Sequence, residues 1–226
     1  MKVIAVYAVF ASALVAAAPR LQEHPPSADA VLADLRQGNE RHVSKHYTRP
    51  HQTAERQHEL ASGQSPEAAI LTCADSRVPP EIVFDMGLGD LFDVRVAGNV
   101  ARDTEIASLE YAAEHLHCPV VVVMGHQKCG AVSAAAESGT PPGHLPALVD
   151  AIKPAVLAAA KLPGDKIDNA VRINVQNVVH QLRESKPILS EASAQGHLRI
   201  VGAVYSLDTG KVDWLPDGAA PKTSPK

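Results

Sequence analysis

Three short runs that are apolar at nearly every position constrain this chain more than any other feature: Ala68-Ala69-Ile70-Leu71-Thr72, Val120 to Met124, and Leu198 to Tyr205. A strand with one wet face alternates polar and apolar residues, whereas a strand covered on both faces reads as continuous Val, Ile, Leu and Ala. Leu91 to Val96 reads as a fourth strand. Between these runs lie segments with helical spacing, Thr104 to His115, Ala131 to Glu137, Leu145 to Lys161 and Asn169 to Glu184, interrupted at Pro141-Pro142 and Pro163-Gly164. Buried strands alternating with helices predict an α/β fold, a single domain whose central, mostly parallel sheet is flanked by helices. The 226 residues, 46% of them hydrophobic, suffice for one such core and show no internal repeat.

Ahead of the first strand, Ser27 and Asp29 are placed to cap a helix whose apolar positions Val31, Leu32 and Leu35 run on towards Arg41. A second helix is expected from Thr53 to Ala61, stopped by Gly63. Residues 27–62 hold few large apolar groups, so both read as surface helices. Further upstream, Lys2 precedes an apolar run from Val3 to Ala18 that Pro19 closes. The run is short for a bilayer span and lacks an amphipathic period, so residues 1–18 read as a signal peptide and a secreted or periplasmic location is expected. The domain then covers 27–215, and residues 216–226, rich in Pro, Lys and Gly, read as a flexible C-terminal tail. Lys plus Arg number 21 against 25 Asp plus Glu, a net charge of -4 that offers nucleic acid no basic surface. A small-molecule substrate is expected, with no stable membrane insertion of the mature chain.

Three cysteines are too few, and odd in number, for the disulfide framework of an exported domain. Cys73 immediately follows the first apolar run. His126 stands two residues after Val120 to Met124, and Cys129 three residues further on. The carboxyl ends of strands in an open parallel sheet gather at one rim, where ligands bind. Within Gly125-His126-Gln127-Lys128-Cys129-Gly130, a strand-to-helix turn, the three-residue spacing points His126 and Cys129 the same way. Singly, a buried Cys or His is more often a core residue. Together at two strand ends, two thiolates and an imidazole fill three of the four tetrahedral positions of one Zn2+ and leave the fourth open, as catalytic zinc requires. Cys118, ahead of Pro119 at a strand entrance, reads as structural. In Cys73-Ala74-Asp75-Ser76-Arg77, a paired Asp75 and Arg77 keep the carboxylate ionised and directed beside the metal. There Asp75 accepts a hydrogen bond from bound water or ligates the metal itself.

These residues resemble the β-class carbonic anhydrases: Cys73-Ala74-Asp75-Ser76-Arg77-Val78-Pro79, then Gly98-Asn99-Val100, then Gly125 to Gly130, with Gly202-Ala203-Val204-Tyr205 near the end. The resemblance runs from about Val31 to Leu215. It implies zinc on Cys73, His126 and Cys129, an Asp75–Arg77 dyad beside it, and hydration of carbon dioxide to bicarbonate by zinc-bound hydroxide. It further implies that Asp75 is a conditional fourth ligand in a closed state. Gln64, nine residues before Cys73, matches the family glutamine that hydrogen-bonds bicarbonate at a subunit interface, so a homodimer or homotetramer is implied, with the N-terminal helices as the dimerising arm. Three positions depart from the family pattern. Val96 stands where Asn is common, Ala131 where many members have a second Gly, and Ile70 where the bicarbonate-regulated members carry Trp.

Two alternatives fit the same residues: a zinc hydrolase of this fold acting on carbon disulfide or carbonyl sulfide, and a non-catalytic protein that zinc merely stabilises. The second predicts a closed fourth position, which only Asp75 is near enough to fill. His42, His46, His51 and His58, irregularly spaced in a polar stretch, read as solvated helix and loop residues. In an oxidising compartment, Cys73 and Cys129 are placed to form a disulfide when zinc is absent.

Overall fold

The computed structural model describes residues 26–216. The signal segment 1–18 and all but the first residue of the 216–226 tail lie outside the described residues. In chain order the elements are α1 (Ala28–Ser44), α2 (Ala54–Leu60), β1 (Ala68–Thr72), α3 (Pro80–Val83), β2 (Leu91–Arg95), α4 (Asp103–Glu114), β3 (Val120–His126), α5 (Gly130–Ala136), α6 (Leu145–Ala159), α7 (Lys166–Glu184), α8 (Ile188–Ala194), β4 (Arg199–Tyr205) and β5 (Val212–Trp214). The strands form one sheet in the order β2-β1-β3-β4-β5. The first four are parallel, and β5 returns antiparallel to β4. Every residue of β1 and β3 is buried, as continuous apolar strands covered on both faces must be. Helix α7 lies close over the sheet because Gly125 and Gly202 present no side chain beneath it. A Cβ at either would meet the methyl groups of Val175 at 2.7 and 2.9 Å. Among the described residues, no helix is long and apolar enough to cross a membrane.

The expected caps are present: Ser27 Oγ accepts from Ala30 N at 3.2 Å and Thr53 Oγ1 from Arg56 N at 3.2 Å. Strand β3 runs two residues further than expected, with His126 paired to Tyr205 as its last rung. Helix α3 and strand β5 were not legible, because four and three residues are too few to display a period, and α8 was not read from the sequence either.

Helix α1 is a surface helix, as expected, but its buried stripe also holds polar groups. Val31, Leu32 and Leu35 all lie in the core, and polar Asn39 and His42 are buried with them. Burial of those two is tolerated because their hydrogen bonds are complete. Asn39 Nδ2 donates to Val83 O at 3.1 Å and Gly210 O at 2.9 Å, while its Oδ1 accepts from Val212 N at 2.9 Å. One amide thus ties α1 to the end of α3 and to the β4–β5 hairpin. His42 bonds the phenol of Tyr47 through Nδ1 at 2.8 Å and that of Tyr205 through Nε2 at 3.0 Å. It is therefore a core residue, not a solvated one, and burial holds its pKa below the usual imidazole value. His51 is exposed, as expected, and bonds the buried carboxylate of Asp90 at 2.7 Å. His46 and His58 are exposed as expected, and α2 buries nothing.

Candidate metal centre

Because β1, β2 and β3 are parallel, their carboxyl ends meet on one rim. Strand β1 ends into Cys73, β2 into the turn Ala97–Asn99, and β3 on His126, with Cys129 capping α5 just beyond. The Sγ atoms of Cys73 and Cys129 and a ring nitrogen of His126 all lie within 4.8 Å of one another. The three residues are 5%, 1% and 1% exposed. His126 Nδ1 donates to Gln127 O at 2.9 Å, because a carbonyl can only accept. That bond occupies Nδ1, and Nε2 is a buried atom without a hydrogen-bond partner. A buried imidazole nitrogen left so beside two thiols is costly unless a ligand occupies the space between them. Two sulfurs and one nitrogen are the donor chemistry of zinc, and these three residues would hold one such ion.

The electrostatics agree. Cys129 donates to Cys73, which holds the Cys73 thiol down to about 4, as a thiolate, against the opposing pull of burial. The same shared proton, with burial, pushes Cys129 well above the usual thiol range, while the N–H groups of Val132 and Ala131 at the start of α5 lean the other way. Burial works against a charged His126, yet the Cys73 thiolate outweighs it and raises the imidazole pKa. The cluster therefore holds protons that a divalent cation would displace.

Asp75 stands at the mouth of this cluster, its Oδ2 at 3.7 Å from His126 Nε2. Arg77 grips it with Nε on Oδ1 at 2.9 Å and an Nη on Oδ2 at 2.7 Å, and the Arg77 backbone N–H adds a third bond at 3.0 Å. The guanidinium holds the Asp75 carboxyl well below the usual carboxylate range. The expected dyad is thus assembled, and Asp75 is ionised and aimed by a bidentate contact.

The carbonic anhydrase family profile matches residues 68–212, which hold the whole cluster and the sheet from β1 to the start of β5. The chain belongs to the β class of the carbonic anhydrase family. The protein named carbonic anhydrase 2 of Mycobacterium tuberculosis is 41% identical over 181 residues, covering 78% of this chain and 87% of that one. The carbonic anhydrase of Mycolicibacterium smegmatis is 37% identical over 194 residues, covering 83% and 94%. Among solved structures, the Coccomyxa β-carbonic anhydrase in complex with acetazolamide superposes with a TM-score of 0.65 at 31% identity, covering 82% of this chain and 85% of its own.

Several residues of this β-class carbonic anhydrase centre escaped sequence reasoning. Arg95, the last residue of β2 and the lateral neighbour of Thr72, donates to Asp75 O at 2.7 Å and so pins the backbone of the dyad turn. Gly98 N donates to Cys73 Sγ at 3.3 Å. Gly98 has φ 67°, and a Cβ there would meet Ile152 Cδ1 at 2.6 Å, so both conformation and space call for glycine. Buried Asn174 on α7 holds the Gly98 carbonyl at 2.9 Å. Gly98 was visible only as part of a motif, while Arg95 and Asn174 carry no local signal because their partners are distant in the chain. Gln64 is exposed and precedes β1, whereas Cys73 follows it, so within one chain the strand separates them. Cys118 is structural as expected. It is buried, donates to Pro66 O at 3.3 Å, and burial pushes its thiol up to about 12.

Proposed function

We propose that this carbonic anhydrase hydrates carbon dioxide reversibly with one Zn2+ held by Cys73, His126 and Cys129. The observation that carries the reading is the buried trio itself, within 4.8 Å and with His126 Nε2 unpartnered. Zinc, when bound, supplies a Lewis acid that lowers the pKa of a coordinated water from ~15.7 towards ~7. The chain's own residues do the rest. Asp75, fixed by Arg77, accepts a hydrogen bond from the reacting water and directs its lone pair to the carbon dioxide carbon. Because Asp75 is ionised, it cannot donate, so the water's orientation is one-sided. The same carboxylate, 3.7 Å from His126 Nε2, would serve as a conditional further ligand if it turned towards the metal.

Gln64 enters as a bicarbonate-holding residue from the second subunit of a homodimer or homotetramer, since its own strand carries it away from its own Cys73. Solved β-carbonic anhydrases of Sordaria macrospora, described as tetrameric, superpose with a TM-score of 0.66 at 26% identity over 83% of this chain and 94% of theirs, which supports an assembly. The run Val3 to Ala18 supports export, with secreted or periplasmic action of the mature chain. N-terminal sequencing of the exported protein tests this: a start beyond residue 18 agrees, and a retained Met1 refutes it.

The activity is tested by stopped-flow hydration with a pH indicator on zinc-loaded protein beside Cys129→Ala. Fast hydration that Cys129→Ala abolishes supports the assignment. Equal rates in the two proteins, or none in either with zinc bound, would contradict it.

A further inference from the structure

A groove of about 710 Å³ opens on the opposite edge of the sheet from the metal centre. It lies where Cys118-Pro119 enter β3 and His197 leads towards β4, between the end of α4 and the face of α8. The length of β3 separates it from His126, roughly 20 Å at about 3.3 Å per residue. Its floor is apolar, with Ala113, Cys118, Pro119, Ile188 and Ala192. Its polar groups are asymmetric in charge. Glu114 ends α4 on one wall, Glu191 stands on α8 on the other, and no Lys or Arg lines it. Among the described residues neither carboxylate has a salt-bridge partner. The lining thus offers two carboxylates and no Lys or Arg. The volume is that of a small-molecule site, and an apolar lining edged by a few polar groups is what such sites use. Nothing in carbon dioxide hydration calls for this groove.

We propose that the groove binds a small organic cation, an ammonium or amidinium on a compact apolar body. The apolar body covers the floor between α4 and α8. The charged head meets Glu114 and Glu191, and Gln195 and the histidine rings add hydrogen-bonding groups at the rim. An anion of the same shape is repelled, and a neutral isostere keeps the floor contact but loses the charge contact. Occupancy leaves the zinc rim free, so binding here and hydration are compatible.

The test is ligand-observed saturation-transfer NMR on the zinc-loaded full chain with benzylammonium as probe, beside benzyl alcohol and benzoate. Benzylammonium is expected to bind about fivefold more tightly than benzyl alcohol at low salt, with the margin shrinking as salt rises. The double variant Glu114→Gln/Glu191→Gln should remove that margin, and Ala192→Trp, which fills the floor, should remove binding of both. Neither variant touches the metal rim, so unchanged hydration rates certify their fold. Benzyl alcohol or benzoate binding as well as benzylammonium, binding unaffected by the variants, or no saturation transfer at all would overturn the proposal.

Discussion

Asp93→Asn isolates one half-buried carboxyl whose ionisation the fold opposes. Asp93 lies in the middle of β2 beside Ile70, and its Oδ1 is buried without a hydrogen-bond partner. Burial raises its pKa to about 7, the nearby Glu81 adds to the rise, and Arg95 opposes it. An unfolded Asp ionises near ~3.9, so in the unfolded chain the proton is lost first. Between those two values the unfolded state binds fewer protons, and stability falls as pH rises, levelling off above the folded pKa. From pH 5 to 8 about two units of that difference remain, worth about 3 kcal/mol at 1.36 kcal/mol per unit. Solvent screening of a partly exposed carboxyl reduces this to about 1.5 kcal/mol. Asn cannot ionise, and its own unmet hydrogen bond is a pH-independent offset. Urea unfolding of zinc-loaded wild type and Asp93→Asn at pH 5 and 8 reads the difference between the two proteins. It should shift in favour of the variant by about 1.5 kcal/mol on going to pH 8. Parallel pH profiles would show that Asp93 is ionised and solvated in the folded chain, and would refute the reasoning.

Other predictions follow from the rim. Gly98→Ala forces a positive φ on a residue with a Cβ and presses it onto Ile152, and should cost about 2–4 kcal/mol in thermal unfolding and weaken zinc retention against a chelator. Arg77→Ala removes the group that depresses the Asp75 pKa. The carboxylate then protonates at higher pH, so the acid limb of the pH–rate profile should move up and the hydration rate should fall by about tenfold or more. Apo protein incubated with oxidised glutathione should lose the two thiols of Cys73 and Cys129, with buried Cys118 still free, as read by thiol alkylation and mass spectrometry. Zinc-loaded protein should keep all three.

How far the sequence reached depended on the range of the interactions involved. Strands β1 and β3 were legible because double-sided burial leaves an unbroken apolar run, and Cys73 and His126 were legible because a parallel sheet sends both strand ends to one rim. The Asp75–Arg77 pair is local, two residues apart, and it was visible. The burial of Asn39 and His42 on α1 was not, because their hydrogen bonds are satisfied by residues up to 173 positions away. His42 in particular reads as solvated until Tyr47 and Tyr205 are seen on its two nitrogens. Arg95 and Asn174, which brace the cysteine-bearing turn and Gly98, depend on contacts that only the folded sheet creates.

The central claim, that two sulfurs and one imidazole of this chain seat one zinc ion, is tested most directly by X-ray absorption at the zinc edge on the loaded protein. The account predicts one zinc per chain with two sulfur scatterers at ~2.3 Å, one imidazole nitrogen at ~2.0–2.1 Å and one further light atom. Zinc surrounded only by nitrogen and oxygen, or a spectrum unchanged in Cys129→Ala, would contradict it.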